Sequence, residues 1–488
     1  MRKLIPHRNT HPSVAYENLD MKASDRMPDD VINFIKEADT VFLASMFKSQ
    51  SSTKEKHPSH AGMNIRGGLP GFIRVNPSDG QTVVLPDYSG NRYMSSLGNI
   101  MVTPLAGLTI VDFKTGDVLY LTGTAQVVTG PAATEIMARQ ACLTVIKVTG
   151  YTFVRNALPA REEPGTLERS PYSPKVKFLS AQLEGTSASE AAGNSLKARL
   201  THATQFAHDI AIMRFDIIGP PGGGTQGLKI RPGQAVVLDF MDWIGPPAYQ
   251  HMANSAPSSI NDDRVRTWTV SSAHGDGCAP TTWFEMTMRE APNGAVTGAL
   301  FPAIAGDTRD NWERNVRIDN AKDVISDIVG VTGDFHLGTH ENEIRMLWVA
   351  GGIGVTPFMA MLTAITTATS DTGPDTEADV VLALSTREPE VFLGLIKTSL
   401  PPRALPKTQR VRIDIFTNQD IYSQTHGLEQ MNVRVVAHKG RIPMEYWPTV
   451  SNDRNVFICG PGEFGNAAET GLRDAGVPNY KIFREGFY

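Results

Sequence analysis

Arg266, Thr267, Trp268 and Thr269 form one unbroken run that supplies a cation, an aromatic plane and two hydroxyls. In an extended strand Arg266 and Trp268 share one side, and Thr267 and Thr269 the other. A guanidinium fork suits phosphate oxygens, so the run is fit for a flat ligand that carries phosphate. Further on, Gly351, Gly352 and Gly354 precede Thr356 and Pro357. A glycine turn opening a helix lets backbone N–H groups approach a pyrophosphate, and proline in a first turn gives up an N–H that has no helical partner there. Cys459, Gly460 and Pro461 follow the apolar run Val456 to Ile458, which brings a thiol to the end of a predicted strand. Nearer the N-terminus, Asn91, Arg92, Ser95 and Ser96 set a cation and hydroxyls beside a predicted helix start, chemistry that favours an anion.

Elements must hold these groups in place. The chain has 488 residues, and at about 100 to 200 residues per domain two to four domains are expected. Hydrophobic residues make up 41% and charged residues 20%, ordinary for a soluble multidomain protein. The formal charge of -5 leaves no basic footprint, so nucleic acid is not an expected partner. Cys142, Cys278 and Cys459 are few and widely spaced, which argues for a reducing compartment. They cannot hold an iron–sulfur cluster, which takes about four thiolates, and no metal site is expected. Arg2 and Lys3 lead into polar residues rather than a signal-peptide core, and no run of about 18 apolar residues is present. The expectation is a cytoplasmic protein with no membrane partner.

The expected fold is multidomain, β and α/β. Residues 1–155 read as an antiparallel barrel: a helix at 29–38, strands at 41–46, 71–76, 82–86, 107–113 and 118–128, and helical segments at 89–100 and 131–144. Prolines and a Ser/Ala/Gly-rich stretch make 156–204 a linker leading into the next unit. Residues 205–340 read as a second antiparallel barrel, with strands at 210–218, 235–240, 267–271 and 284–289 and surface insertions at 219–224 and 249–263. From 341 to 488 strand and helix alternate, which predicts a parallel sheet covered by helices.

The order of these motifs resembles the ferredoxin reductase family of flavoproteins from about Phe206 to Tyr488. The resemblance implies a central FAD-binding barrel and a C-terminal NAD(P)-binding domain. Arg266 then meets the flavin phosphates, Thr267 and Trp268 line the flavin, and Thr269 sits near its reactive N5. Pro232-Gly-Gln234 matches a family turn, and Gly294, Val296 and Thr297 match its phosphate loop. Gly330 to Phe335 matches the turn at the barrel's exit. Gly351, Gly352, Gly354, Thr356 and Pro357 take the dinucleotide pyrophosphate, and Cys459, Gly460 and Pro461 abut the nicotinamide. Ser385 and Arg387 fit a 2′-phosphate, whereas Glu388 fits free ribose hydroxyls, so NADH and NADPH both stay open. Glu485, Phe487 and Tyr488 resemble the family's C-terminal Glu-x-aromatic ending, with Phe487 as the flavin cover and Glu485 its polar neighbour.

The runs Gly71 to Val75, Leu85 to Arg92, Ser95 to Ile100 and Leu119 to Thr124 resemble the pyridoxamine 5′-phosphate oxidase type of split barrel. That resemblance implies FMN bound at a homodimer interface, with Arg92, Ser95 and Ser96 on the phosphate, Asn91 and Asn99 as secondary contacts and His60 as a flavin or substrate neighbour. Split barrels also hold haem, other ligands or nothing. The expected function is hydride transfer from NAD(P)H to FAD, with Thr269, Cys459, Glu485 and Phe487 as the catalytic group. Electrons then pass to an FMN, a small-molecule substrate or oxygen at the N-terminal barrel. The alternative is a reductase that donates to a separate protein, its split barrel serving for dimerisation or ligand binding.

Overall fold

The computed structural model describes residues 3–49, 55–88, 94–164, 167, 173–183, 196–219, 227–246, 262–274, 277, 279–304, 314–317, 324–337, 343–367, 377–421 and 424–487. Two compact units divide the chain: Met1–Glu184 with Pro246–Asp263, and Gly185–Gly245 with Arg264–Tyr488.

The first unit is built on an eight-stranded antiparallel sheet. Its pairing path runs His60–Gly67, Thr40–Phe47, Leu105–Val111, Val118–Thr129, Cys142–Arg155, Thr82–Pro86 and Arg74–Val75, with Ser13–Asn18 beside Cys142–Arg155. Alternation explains the burial: Leu119, Leu121 and Ala125 point into the core while Tyr120, Thr122 and Thr124 point out. Helix Asp29–Glu37 seals one side with Val31, Ile32 and Ile35. The two end strands of the path do not pair, so the described strands form an open sheet rather than a hydrogen-bonded closed barrel.

Three local expectations change here. The helix at 131–144 stops at Ile136, and Cys142 to Thr144 open the fourteen-residue strand Cys142–Arg155, whose β-branched Thr144, Val145, Ile146, Val148 and Thr149 favour extended chain. The strand at 71–76 shrinks to Arg74–Val75. His60–Gly67 is an unanticipated edge strand, and its largely exposed side chains show why no burial period marked it.

The stretch 156–204, expected as a linker, is partly built into both units. Ala160–Glu162 pairs with Leu4–Pro6. Leu179, just before the turn Ser180–Gln182, packs with Val84, Met137 and Leu143. Lys197–Ala207 is an interior strand of the second unit. Of the expected insertions, 220–224 and 249–261 lie outside the described residues; Asp263 pairs with Lys177 of the first unit at 2.9 Å.

The second unit carries two sheets. In the antiparallel one the path is Val265–Thr269, Ala235–Asp239, Ile325–Thr332, Lys197–Ala207, Ile210–Ile218 and Trp283–Arg289, with Arg314–Arg317 beside Lys197–Ala207. Its two end strands share no ladder, but the Ser271 N–H donates to the Glu285 carbonyl at 2.8 Å and draws them together. The other sheet has six parallel strands in the order Val433–Lys439, Gln409–Thr417, Glu377–Ser385, Glu343–Gly351, Asn455–Pro461 and Ile482–Phe487. The first four were laid down outward in sequence and the last two on the opposite side, so the direction of growth reverses between Glu343–Gly351 and Asn455–Pro461. Their buried residues read as near-continuous Val, Leu and Ile, as a sheet covered on both faces requires. Among the described residues no helix is long and apolar enough to cross a membrane.

Candidate functional site

In an open parallel sheet, ligands bind beyond the carboxyl ends of the strands where the order reverses. That point lies at Gly351 and Cys459. Ala350 is the register partner of Cys459, and Cys459 in turn of Glu485, so three adjacent strand ends carry them in a row. On the other side Gly351 pairs with Ser385, Ser385 with Phe416, and Phe416 with His438. With strands spaced about 4.8 Å apart, the step from Glu485 to Ser385 is about 14 Å.

At the centre of the row the chain turns through Gly352–Val355 into helix Thr356–Thr367, the range expected from sequence. Gly352 has φ +54°, and a Cβ there would meet nothing within 4 Å, so the turn presents open backbone. Gly354 answers a different demand: a Cβ there would overlap the Cys459 carbonyl and lie 2.9 Å from the Gly460 Cα. That close approach holds the glycine turn against the thiol strand.

The antiparallel sheet contributes its own wall. Arg266, Trp268 and Thr269 are register partners of Leu238, Val236 and Ala235. Trp268 packs edge-on against Phe240 with ring centroids 5.8 Å apart, and Arg266 Nη1 donates to the Val265 carbonyl at 2.9 Å. Thr267 is exposed. Thr269 is buried, and its Oγ1 has no hydrogen-bond partner. Two residues on, the Thr287 hydroxyl donates to Ser271 Oγ at 2.9 Å and lies 3.8 Å from Met359 Sδ on the helix that the glycine turn opens. The Thr287–Met359 contact thus joins the antiparallel sheet to the helix that the glycine turn opens. Below it, Phe335 meets Phe358 and Phe457 at ring distances of 5.9 and 5.1 Å, fixing the two sheets to each other.

Glu485 is the second orphan: its Oε2 is shut from solvent without a partner. Burial pushes its carboxyl up to about 7. The Cys459 thiol is pushed well above its ordinary value by burial and then by the Glu485 carboxylate, so it is a neutral, fully buried group rather than a nucleophile. A buried hydroxyl and a buried carboxyl that each lack a partner cost free energy unless a ligand meets them. Each could meet a polar group of a bound cofactor.

Other expected residues fall in varied places. The Thr297 Oγ1 accepts the Ala291 N–H at 3.0 Å and so closes its own loop beside Gly294, while the Val296 side chain is in the core and leaves only backbone for a ligand. Thr356 and Pro357 are buried in the helix start. Ser385 is half-buried at its strand end, and Arg387 is exposed with no hydrogen bond or ion pair among the described residues. Glu388 is tied to Arg289 of the antiparallel sheet. Phe487 closes the last strand as backbone partner of Pro461; its side chain and Tyr488 lie outside the described residues.

Sequence reasoning missed a cavity of about 360 Å³ lined by Thr417, Asn418, Gln419, Asp420, Ile421 and Ala437 to Lys439, beyond the next two strand ends of the same row. The His438 ring, stacked on Phe416 at 4.6 Å, forms part of its wall. The polar run Thr417 to Asp420 after an apolar strand was the available signal.

In the first unit Ser95 and Ser96 open helix Ser95–Val102. Ser96 is fully buried, and Asn64 Nδ2 donates to its Oγ at 2.7 Å. Asn99 Nδ2 donates to Ser45 Oγ at 3.2 Å. His60 is exposed at the start of the edge strand, its ring 5.5 Å from that of Phe47. Asn91, Arg92 and Cys278 lie outside the described residues.

No protein-family model and no curated protein matches the chain. Among solved structures it is similar to a flavohaemoglobin from Malassezia yamatoensis with bound FAD and haem, at 18% identity and a TM-score of 0.37 over 61% of this chain and 61% of that one. The chain thus spans under two thirds of that protein's length. It is similar to a ferredoxin NADP+ reductase from Neisseria gonorrhoeae with bound FAD and NADP, at 14% identity and a TM-score of 0.37 over 60% of this chain and 99% of that one. It is also similar to an Amycolatopsis cytochrome P450 reductase, at 13% identity and a TM-score of 0.37 over 82% of this chain and 96% of that one.

Proposed function

We propose that this chain is an NAD(P)H-dependent flavoprotein oxidoreductase. The observation that carries the reading is the row Glu485, Cys459, Gly351, Ser385 along the carboxyl edge of the parallel sheet, together with the orphaned Thr269 hydroxyl on the antiparallel sheet. A dinucleotide whose pyrophosphate meets the open backbone at Gly352 would lay its nicotinamide toward Cys459 and Glu485 and its adenosine toward Ser385. FAD, when bound, supplies the acceptor for a hydride. Arg266 pairs with its phosphates, Trp268 lines it and Thr269 donates a hydrogen bond at its edge. Cys459 contributes a small dry wall, and Glu485 holds a proton beside the stacked rings. Catalysis rests on orientation and exclusion of water rather than on acid–base strength.

In this reading the N-terminal unit is an FMN-binding split barrel, with Asn91, Arg92, Ser95 and Ser96 at the phosphate. It passes electrons to a small-molecule substrate or oxygen and pairs with a second copy. One observation favours the alternative, an acceptor on a separate protein and a barrel used for dimerisation or ligand binding: Ser96 is fully buried, which leaves its hydroxyl no open face for a phosphate. Cofactor extraction with flavin counting tests both. Two flavins per chain, with Arg92→Ala losing the FMN, support the first. One FAD per chain and unchanged turnover in Arg92→Ala support the second, and a chain that binds no flavin sinks the proposal.

A further inference from the structure

Arg289 ends a strand of the antiparallel sheet, and its guanidinium holds two carboxylates from different parts of the unit. Nη1 donates to Asp209 Oδ2 at 2.7 Å, in the hairpin turn before Ile210, and Nη2 donates to Glu388 Oε2. The fork geometry of arginine suits it to two acceptors at once. Asp209 is fixed independently, since its carbonyl accepts the Glu290 N–H at 2.8 Å. Glu388 stands three residues beyond Ser385, at the carboxyl end of the strand next to the glycine turn, and precedes helix Pro389–Thr398. The loop between them is pinned at both ends: the Thr386 N–H donates to the Phe416 carbonyl at 3.1 Å, and the Glu388 N–H to Thr386 Oγ1 at 3.0 Å. Arg387 alone in this loop offers an exposed side chain without a partner among the described residues.

A carboxylate at the end of the second strand of such a sheet is the group that hydrogen-bonds an unphosphorylated ribose and repels a 2′-phosphate. Here that carboxylate is held in an ion pair by Arg289. We infer that Arg289 is a specificity-determining positioning residue: by sequestering Glu388 and leaving Arg387 free, it sets the site for the 2′-phosphorylated dinucleotide. This rests on the reading of the chain as a dinucleotide-dependent flavoprotein. Arg289 need not touch the ligand. It acts through where Glu388 points.

The test is the ratio of kcat/KM for NADPH and NADH in the flavin-loaded full chain, compared across wild type, Arg289→Gln, Glu388→Gln and the double variant. Wild type should prefer NADPH. Arg289→Gln should lose about tenfold or more of that preference, through KM and not kcat. Glu388→Gln should keep the preference, and the double variant should recover it, which a merely structural role for Arg289 would not produce. Arg289→Lys preserves a charge at Asp209 but cannot fork, and it should shift the ratio the same way by less, which covers an Arg289→Gln chain that fails to fold. A wild type that prefers NADH, an Arg289 variant that affects both dinucleotides equally, or a double variant that behaves like Arg289→Gln overturns the inference alone. A wild type reduced by neither dinucleotide overturns the functional reading with it.

Discussion

Cys459 and Glu485 are register partners on adjacent parallel strands, and Cys459 is at the same time the partner of Ala350 on the strand that runs into the glycine turn. The pairing brings a residue three places from the C-terminus beside the centre of the candidate site. Burial raises both acids by disfavouring their charged forms, and the Glu485 carboxylate raises the Cys459 thiol further.

Glu485→Gln is expected to change how stability depends on pH. A carboxyl with its folded value near 7 against an ordinary 4.5 contributes stability that is fully present below about pH 4.5 and is lost as the pH rises through about 7. The variant, having no charge to bury, should gain on the parent across that window, by on the order of 2–3 kcal/mol at the top of it. Urea titrations at pH 4, 6 and 8 measure this, and parallel curves at all three would rule it out.

The same group should shape the reaction. If Glu485 lies beside the flavin, its ionisation puts negative charge next to a ring gaining electrons, and stopped-flow reduction of the bound flavin should slow as the pH rises through about 7. In Glu485→Gln that step should vanish.

Thr269→Val separates chemistry from folding. Its hydroxyl is buried without a partner, so removing it should leave the flavin-free protein unchanged or up to about 1 kcal/mol more stable. If the hydroxyl serves the bound flavin, reduction by NAD(P)H should slow about tenfold, which corresponds to about 1.4 kcal/mol of transition-state stabilisation. A variant as fast as the parent would remove Thr269 from the catalytic group.

Gly354→Ala tests the close approach of turn and thiol strand. The added methyl meets the Cys459 carbonyl, which belongs to an interior strand and has little freedom to give. A loss of about 1–3 kcal/mol is expected, together with loss of dinucleotide-driven reduction while the flavin stays bound. Calorimetry and flavin fluorescence report the two effects separately.

On the N-terminal edge strand Met63 and Ile65 are 59% and 61% exposed, and Met101 on helix Ser95–Val102 is 75% exposed. If this face pairs two copies, Met63→Glu with Ile65→Glu should halve the mass seen by light scattering. An unchanged mass would place any dimer contact elsewhere.

Much of the local structure was legible in the residues. Ile210–Ile218 and Thr356–Thr367 lie where their periods put them, and the alternation after residue 341 does yield a parallel sheet with helices. Legibility failed where the local signal was weak or double. His60–Gly67 buries almost nothing, and the run 131–144 mixes a short helix with the first residues of a long strand.

The sequence by itself determined the chemistry on offer: a cation–aromatic–hydroxyl strand, an open glycine turn, a thiol at a strand end and a carboxylate near the C-terminus. Each follows from residue type and short-range geometry. Only the tertiary structure decided that Ala350, Cys459 and Glu485 share one row, that Ser271 and Glu285 draw two sheet edges together, and that Glu388 turns to Arg289. The physical reason is that periodicity reports which face of a strand is buried but not which strand lies beside it. Neighbours are chosen by packing between segments far apart in the chain, and the candidate site is made of those neighbours.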